Sequence, residues 1–349
     1  MRYELTIDNA IPYLLGRGLL ERDCVVMHGA SVASKSGRNK NIVVQTGNHV
    51  GFFLKQYANS DRMLSEVATC ALMHDGTFAV PKVLHYSEMD EIAVFDLVRE
   101  SIRGWSPFTN DGDTPQAARA CHLIGSTLAK IHRKALLVNQ PGMSFQNLKF
   151  KSSKPWGFGI QMPNVRDLSS LSRGNVQLLS IIQSEFFDDI QRTTSRWNAD
   201  GIIHGDSKID NIIFYLDEAA REKIIIVDWE TAQLGEFAWD LAGFVQDGVV
   251  QRIKAAEFKG ETSSNFDGLP ALLTELLVGY QDFSCDAHSN EFVLRVTELS
   301  GVRLLQSAYE FSQHSPKLLR GAVTMLQVAH NILRDPQVAA SKLFDKRIN

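Results

Sequence analysis

The densest chemistry in the chain lies in Ile203–Phe214, which reads IHGDSKIDNIIF. An apolar strand leads into His204, Gly205 and Asp206, four residues intervene, and Asn211 opens a second apolar strand. Shortly after, residues 224–230 read IIIVDWE, a continuous buried-type strand that ends at Asp228. Acids at strand ends project into a cleft rather than into a core. An aspartate and an asparagine near a second aspartate supply hard oxygen ligands. Magnesium takes such ligands sparingly while keeping waters and nucleotide phosphates.

These residues need a scaffold, and hydrophobic periodicity outlines one. In the first hundred residues, CVVMHGAS (24–31), NIVVQT (41–46) and HVGFFLKQY (49–57) read as strands. The polar stretch SKSGRNKN, with Gly37 as its permissive residue, separates the first two. A helix is expected from about 59 to 74. Leu64, Val67, Ala68, Ala71 and Leu72 share one face there, and Asn59 or Ser60 caps the start. FAVPKVLHYSE (78–88) and EIAVFDLVRE (91–100) add two more strands. Beyond residue 101 the pattern turns helical. Thr114-Pro115 starts one helix that runs to basic residues 132–134, and another covers about 176–197. Three more apolar repeats at three and four follow residue 240. Residues 138–175 are rich in Gly, Pro, Ser and Asn and read as a long loop. Loops of that length usually have a task, and acceptor binding is one. The expected architecture is α+β, with a small β-rich lobe carrying one helix (1–98) and a larger, mostly helical lobe (99–349).

Composition limits the alternatives. The length allows two cooperating domains. A hydrophobic content of 44% and a charged content of 22% fit an ordinary globular protein. A net charge of −4 gives no nucleic-acid footprint. The first twenty residues carry Arg2, Glu4, Asp8 and Arg17, which argues against a signal peptide or anchor, and no apolar run reaches membrane-spanning length. Cys24, Cys70, Cys121 and Cys285 are scattered without CxxC spacing. Neither a disulfide framework nor a zinc site is expected, and a cytoplasmic home follows.

The combination H-G-D-x-x-x-x-N, then D-W-E, then W-D-L-A resembles the core of the aminoglycoside phosphotransferase and choline kinase family. That family has a bilobal protein-kinase-like fold, and protein kinases share the layout with other letters. The resemblance implies ATP and Mg2+ as cofactors, with the γ-phosphoryl group moved to a hydroxyl. It makes Asp206 the base that orients and deprotonates the acceptor, and Asn211 and Asp228 the magnesium ligands. His204 would pin the loop, and Asp240 would hydrogen-bond it from a following helix. Lys208 either neutralises charge on the transferred group or is a solvated loop lysine. Glu230 either assists the metal through a water or is a surface carboxylate.

Lys55, at the end of VGFFLK, takes the position of the nucleotide lysine, a point charge on the phosphates. Glu66 lies off the apolar stripe of the following helix and is free to pair with Lys55; a solvent-facing glutamate is its other reading. FDLVRES (95–101) is the expected hinge, with backbone groups from Asp96 to Val98 binding adenine. The glycine triplet of protein kinases is missing, so Ser34, Ser36, Gly37 and backbone amides would cover the phosphates. Arg38 and Lys40 either add charge there or are ordinary turn residues.

Two acceptor classes follow. G-R-N-x-N (37–41) with F-L-K-Q (53–56) is similar to the kinase-like component of class V lanthipeptide and thioamide-peptide biosynthesis. That implies Ser or Thr of a precursor peptide as acceptor, with a lyase or another biosynthetic protein as partner. Phe145, Phe150, Trp156 and Phe158 would then offer aromatic contact from the long loop or pack on the helical lobe. The alternative is a small-molecule kinase acting on an aminoglycoside, sugar or amino alcohol. A kinase-fold binding module is the third reading, against which the intact set Lys55, Asp206, Asn211 and Asp228 speaks.

Overall fold

The computed structural model describes residues 2–35, 37, 39–74, 79–98, 106–109, 114–138, 153–160, 172–217, 219–284 and 286–345. The chain divides into two compact units. The first comprises residues 1–103, 145–150 and 210–232; the second comprises 104–144, 151–209 and 233–349.

A five-stranded antiparallel sheet organises the first unit. Its strands are β1 (Ala30–Lys35), β2 (Lys40–Thr46), β3 (Gly51–Gln56), β4 (Val83–Ser87) and β5 (Ile92–Asp96), in the order β1-β2-β3-β5-β4. Alternation along each strand sorts the side chains between the faces. Ile42, Val44, Phe52, Leu54, Ile92 and Val94 bury one face together with Ala10, Tyr13 and Leu14 of α1 (Ala10–Gly16). The intervening positions put Phe53, Lys55, Ala93 and Phe95 on the other face, where Lys55 pairs with Ala93 in register. On that side α3 (Ser60–Met73) supplies the partner of Lys55. Asn59 caps α3 by accepting from the Asp61 amide at 2.7 Å.

The expected five strands and the helix after β3 are present, with two differences. One helix was expected in this lobe, and two short ones, Ala10–Gly16 and Arg22–His28, precede α3. CVVMH is not a strand: it lies in α2 (Arg22–His28), and β1 begins at Ala30. Gly29, at φ +68°, closes α2. The β-branched pair Val25-Val26 misleads because α2 buries none of its residues, so no inward stripe marks it as helical.

A second hairpin completes this unit. Strands β7 (Ile212–Leu216) and β8 (Glu222–Ile226) pair antiparallel with Ile212 opposite Ile226. The Val227 amide donates to the Asn211 carbonyl at 2.9 Å. The hairpin thus delivers Asn211 and Asp228 to the same end. Asp228 adopts the left-handed conformation, φ +67°, which aspartate tolerates better than most residues. The turn Trp229–Thr231 follows, with Trp229 fully buried and Ala232 tied to α3 through the Ser65 hydroxyl at 2.7 Å.

The second unit is mostly helical: α4 (Pro115–Val138), α5 (Arg173–Glu185), α6 (Phe187–Ser195), α7 (Phe237–Phe258), α8 (Leu269–Gln281), α9 (Asn290–Phe311), α10 (Arg320–Arg334) and α11 (Pro336–Leu343). One short pair, β6 (Gly201–Ile203) with β9 (Gln233–Gly235), lies among them. The single helix expected over 176–197 is two helices, broken at buried Phe186. Within the long segment expected at 138–175, the described residues 153–160 hold a single turn of 3₁₀ helix, Trp156–Gly159. Phe158 is buried against Trp197 and Trp239, whereas Trp156 is half-exposed at the edge of Tyr309. Phe145 and Phe150 lie outside the described residues. Among the described residues, no helix is long and apolar enough to cross a membrane.

Candidate functional site

In the first unit Lys55 is the centre of a charge cluster. Its ammonium donates to Glu66 Oε2 at 2.7 Å and to Asp228 Oδ1, and lies 3.1 Å from Glu230. The side chains of Lys55 and Glu66 are 5% and 4% exposed, while that of Asp228 is 40% exposed. Burial pushes the Lys55 ammonium toward the neutral form, but Glu66, Asp228 and Glu230 together reverse this and hold it firmly protonated. Burial pushes the Glu66 carboxyl above its ordinary range; Lys55 and the Tyr57 hydroxyl, which donates to it at 2.7 Å, pull it partly back.

Glu66 is therefore not on a solvent-facing side of α3; it is one of the buried residues of that helix. Glu230 is no surface carboxylate either. It is 8% exposed, pairs with Arg62 at 3.1 Å, and accepts from the Asn39 amide. Carboxylate oxygens of Glu66, Asp228 and Glu230 lie within 4.8 Å of one another. Three carboxylates against the two cations Lys55 and Arg62 leave an excess of negative charge. The three carboxylates are hard-oxygen donors of the kind a divalent cation takes, and the hairpin brings Asn211 to the same end, its carbonyl accepting from the Val227 amide.

The residues expected to cover the phosphates lie on β1 and the turn that follows it. Ser34 on β1 and Gly37 in the β1–β2 turn are exposed, and Ser36 and Arg38 lie outside the described residues. Lys40 pairs with Glu4 at 2.6 Å. Among the described residues of this turn, Asn39 reaches the cluster through Glu230. At the expected hinge, the Asp96 amide donates to Lys82 O at 2.9 Å and the Leu97 amide to Gly51 O at 3.1 Å. Both are thereby committed to holding β5 beside its neighbours. Asp96 and Val98 are half-buried.

In the second unit, Asp206 and Lys208 sit on the loop that leaves β6, joined by an ion pair of 2.7 Å. Asp240, in the first turn of α7, accepts from the amides of His204 at 2.7 Å and Gly205 at 3.0 Å. His132 Nε2 lies 3.1 Å from the same carboxylate, and its Nδ1 lies 2.9 Å from the Tyr280 hydroxyl. Burial pushes the Asp240 carboxyl up. The hydrogen bond and charge of His132, with the charge and amide of His204, outweigh this and hold it down at about 2. His204 is fully buried and its Nδ1 accepts from the Asp206 amide at 3.2 Å. Further along, Asp247 accepts from the Ile209 amide at 2.8 Å. Sequence reasoning gave no role to Asp247 or Arg303 and read Trp239 only as a letter of the W-D-L-A motif, although all three also grip this loop.

The second unit also holds a cavity of about 1170 Å³, whose walls include His132, Glu236, Phe237, Tyr280 and Arg295. None of the site residues expected from sequence lines it.

The fold is shared with known kinases. An ethanolamine kinase of Plasmodium vivax superposes with a TM-score of 0.60 at 14% identity, over 96% of this chain and 91% of that one. A choline/ethanolamine kinase family protein of Mesorhizobium loti gives 0.57 at 15% identity, over 95% and 94%. In sequence, Acyl-CoA dehydrogenase family member 11 of Pongo abelii is 26% identical over 202 residues, or 56% of this chain. The match takes in 24% of that protein, so the chain spans about a quarter of the length of this relative. The fold is that of kinase-like phosphotransferases. The profile of the phosphotransferase enzyme family, APH, matches residues 31–272, and the chain belongs to that family.

Proposed function

We propose that this protein transfers the γ-phosphoryl group of ATP to the hydroxyl of a small molecule, with an amino alcohol such as ethanolamine the first acceptor to try. The Lys55–Glu66–Asp228 cluster carries the reading, because a buried lysine held charged by two carboxylates is the kind of group that meets nucleotide phosphates. Lys55 would bind the α- and β-phosphates, and Asp206 would accept the proton of the acceptor hydroxyl. The hydroxyl oxygen bonds to the γ-phosphorus, the bond from that phosphorus to the β–γ bridging oxygen breaks, and ADP departs with that oxygen. Lys208, paired with Asp206, would stabilise negative charge gathering on the transferred group. A magnesium ion held by Asn211 and Asp228, with Glu230 near, would supply charge neutralisation at the phosphates. The names of structural neighbours, ethanolamine and choline kinases, support a small acceptor. The similarity to peptide-modifying kinases rests on residues 37–41 and 53–56 alone, and neither the fold nor the relatives add to it.

The test incubates the purified chain with ATP and Mg2+ and a panel of amino alcohols, sugars, aminoglycosides and Ser/Thr peptides. A phosphate-sized mass gain on a small alcohol is expected. Asp206→Asn should lower its turnover by about 10² to 10⁴ while ATP affinity holds, since base loss acts on the proton and not on the nucleotide. Phosphorylation of peptides alone would replace this reading with the peptide one. Full turnover by Asp206→Asn would remove Asp206 from the mechanism.

A further inference from the structure

The loop that carries Asp206 is gripped on both its donors and its acceptors. Asp240 and Asp247 take its amides, as described above. Its carbonyls are held from α7 and α9. Gly205 O accepts from Trp239 Nε1 at 3.0 Å and from Arg303 Nη1 at 3.2 Å, and Ser207 O accepts from Arg303 Nη2 at 3.3 Å. One guanidinium therefore spans the two carbonyls that flank Asp206. Arg303 is 4% exposed and its guanidinium carbon lies 4.8 Å above the Trp239 ring. Gly243 on α7 makes room for this arrangement. A Cβ there would run into the Ser207 carbonyl oxygen and come within 2.9 Å of Arg303 Nη2.

Stability does not explain such a residue. Among the described residues, Arg303 has no carboxylate hydrogen-bonded to it, and its Nε lacks any hydrogen-bond partner. Burial disfavours its charge and outweighs the more distant carboxylates of Asp206, Asp240, Glu310 and Asp247, which offset it only in part. Two hydrogen bonds to carbonyls are a small return for desolvating a guanidinium, which an apolar side chain over Trp239 would not require. What it does supply is a rigid planar fork, matched to two carbonyl oxygens on either side of one aspartate.

We propose that Arg303 is a positioning residue for Asp206, fixing the Gly205 and Ser207 carbonyls so that the carboxylate between them is held for proton transfer. This rests on the reading of Asp206 as the proton acceptor. A loosened base costs rate without touching nucleotide binding, because misplacement by about 1 Å lowers turnover by on the order of 10².

The test compares the full chain with Arg303→Met, which keeps the stem over Trp239, and with Arg303→Lys, which restores charge but not the fork. ATP, Mg2+ and the best alcohol of the panel are used. For Arg303→Met, kcat should fall by about 10²-fold with KM for ATP within about twofold, and the melting temperature should fall by only a few degrees, as the Ser207 carbonyl loses one donor. Arg303→Lys should fall between the two. Hydrogen exchange should accelerate at the 204–209 amides and stay constant elsewhere. If Arg303→Met does not fold, Gly243→Ala displaces the same carbonyl from the opposite side and should give the same kcat-only loss. Wild-type kcat with unchanged exchange would overturn the proposal. So would a larger fall in melting temperature with exchange raised uniformly, which would mark a structural role. If the wild-type chain phosphorylates no acceptor, the phosphotransfer reading fails by itself. Exchange at 204–209 then still decides whether Arg303 holds the loop.

Discussion

Lys55 is held in a compromise that nucleotide binding would resolve. Its ammonium is buried, which costs free energy, and its three carboxylate neighbours more than offset that cost. Removing one partner of such a group leaves the others buried without compensation. Lys55→Met should therefore destabilise the chain by about 3–5 kcal/mol, the usual cost of breaking a buried pair. It should also abolish ATP binding. The double variant Lys55→Met with Glu66→Gln removes the stranded charge as well, and should recover much of the stability without any binding. Urea midpoints report the first quantity and calorimetry the second. Restored binding in the double variant would show that Lys55 does not meet the phosphates. Equal instability of single and double variants would show that Glu66 is not its main burial partner.

Helix α7 does for the Asp206 loop what β3 and α3 do for Lys55. Its first turn carries Asp240, placed where the helix dipole favours negative charge, and its carboxylate is held ionised down to about 2 against an ordinary 3.8. A depressed carboxylate contributes stability in full above its unfolded value and loses it as pH falls through its folded one. The window here runs from about pH 4 to pH 2, and the contribution is on the order of 2 kcal/mol. Asp240→Asn should be less stable at neutral pH and should show a flatter loss of stability between pH 5 and 2. Parallel urea midpoints for both proteins across that range would refute the account.

Such elements were legible in sequence to different degrees. Strands β2 to β5 and helix α3 announced themselves by period, and Asn211 and Asp228 by their places at strand ends. Helix α2 was misread because none of its residues is fully buried, Cys24 and Val25 being only partly covered, and its Val25-Val26 pair looks like a strand. The break at Phe186 left no mark, since a buried phenylalanine fits either one helix or two. Lys55, Asp206 and Asp228 were recognisable from local motifs. The burial of Glu230 and the grip of Arg303 on residues 96 to 98 positions away depend on packing that no local pattern encodes.

At the level of the whole chain, the groups proposed for the nucleotide and those proposed for the acceptor belong to different compact units. Lys55, Glu66, Asn211, Asp228 and Glu230 lie in the sheet unit, and Asp206 and Lys208 in the helical one. Binding linkage gives this division a measurable consequence. A ligand that binds only the folded form stabilises it by about 2.7 kcal/mol at a hundredfold excess over Kd, and that stabilisation is strongest where the contacts are made. Adding ATP with Mg2+ should therefore slow hydrogen exchange first in peptides covering 51–73 and 210–232, with smaller changes over 237–334. Asp228→Ala should erase the magnesium-dependent part of that protection, because the phosphates lose the cation this carboxylate would share with Asn211. Lys55→Met with Glu66→Gln should erase the rest. Protection confined to the helical unit, or unchanged in the Asp228 variant, would mean that the nucleotide binds elsewhere and that the carboxylate cluster around Lys55 serves stability alone.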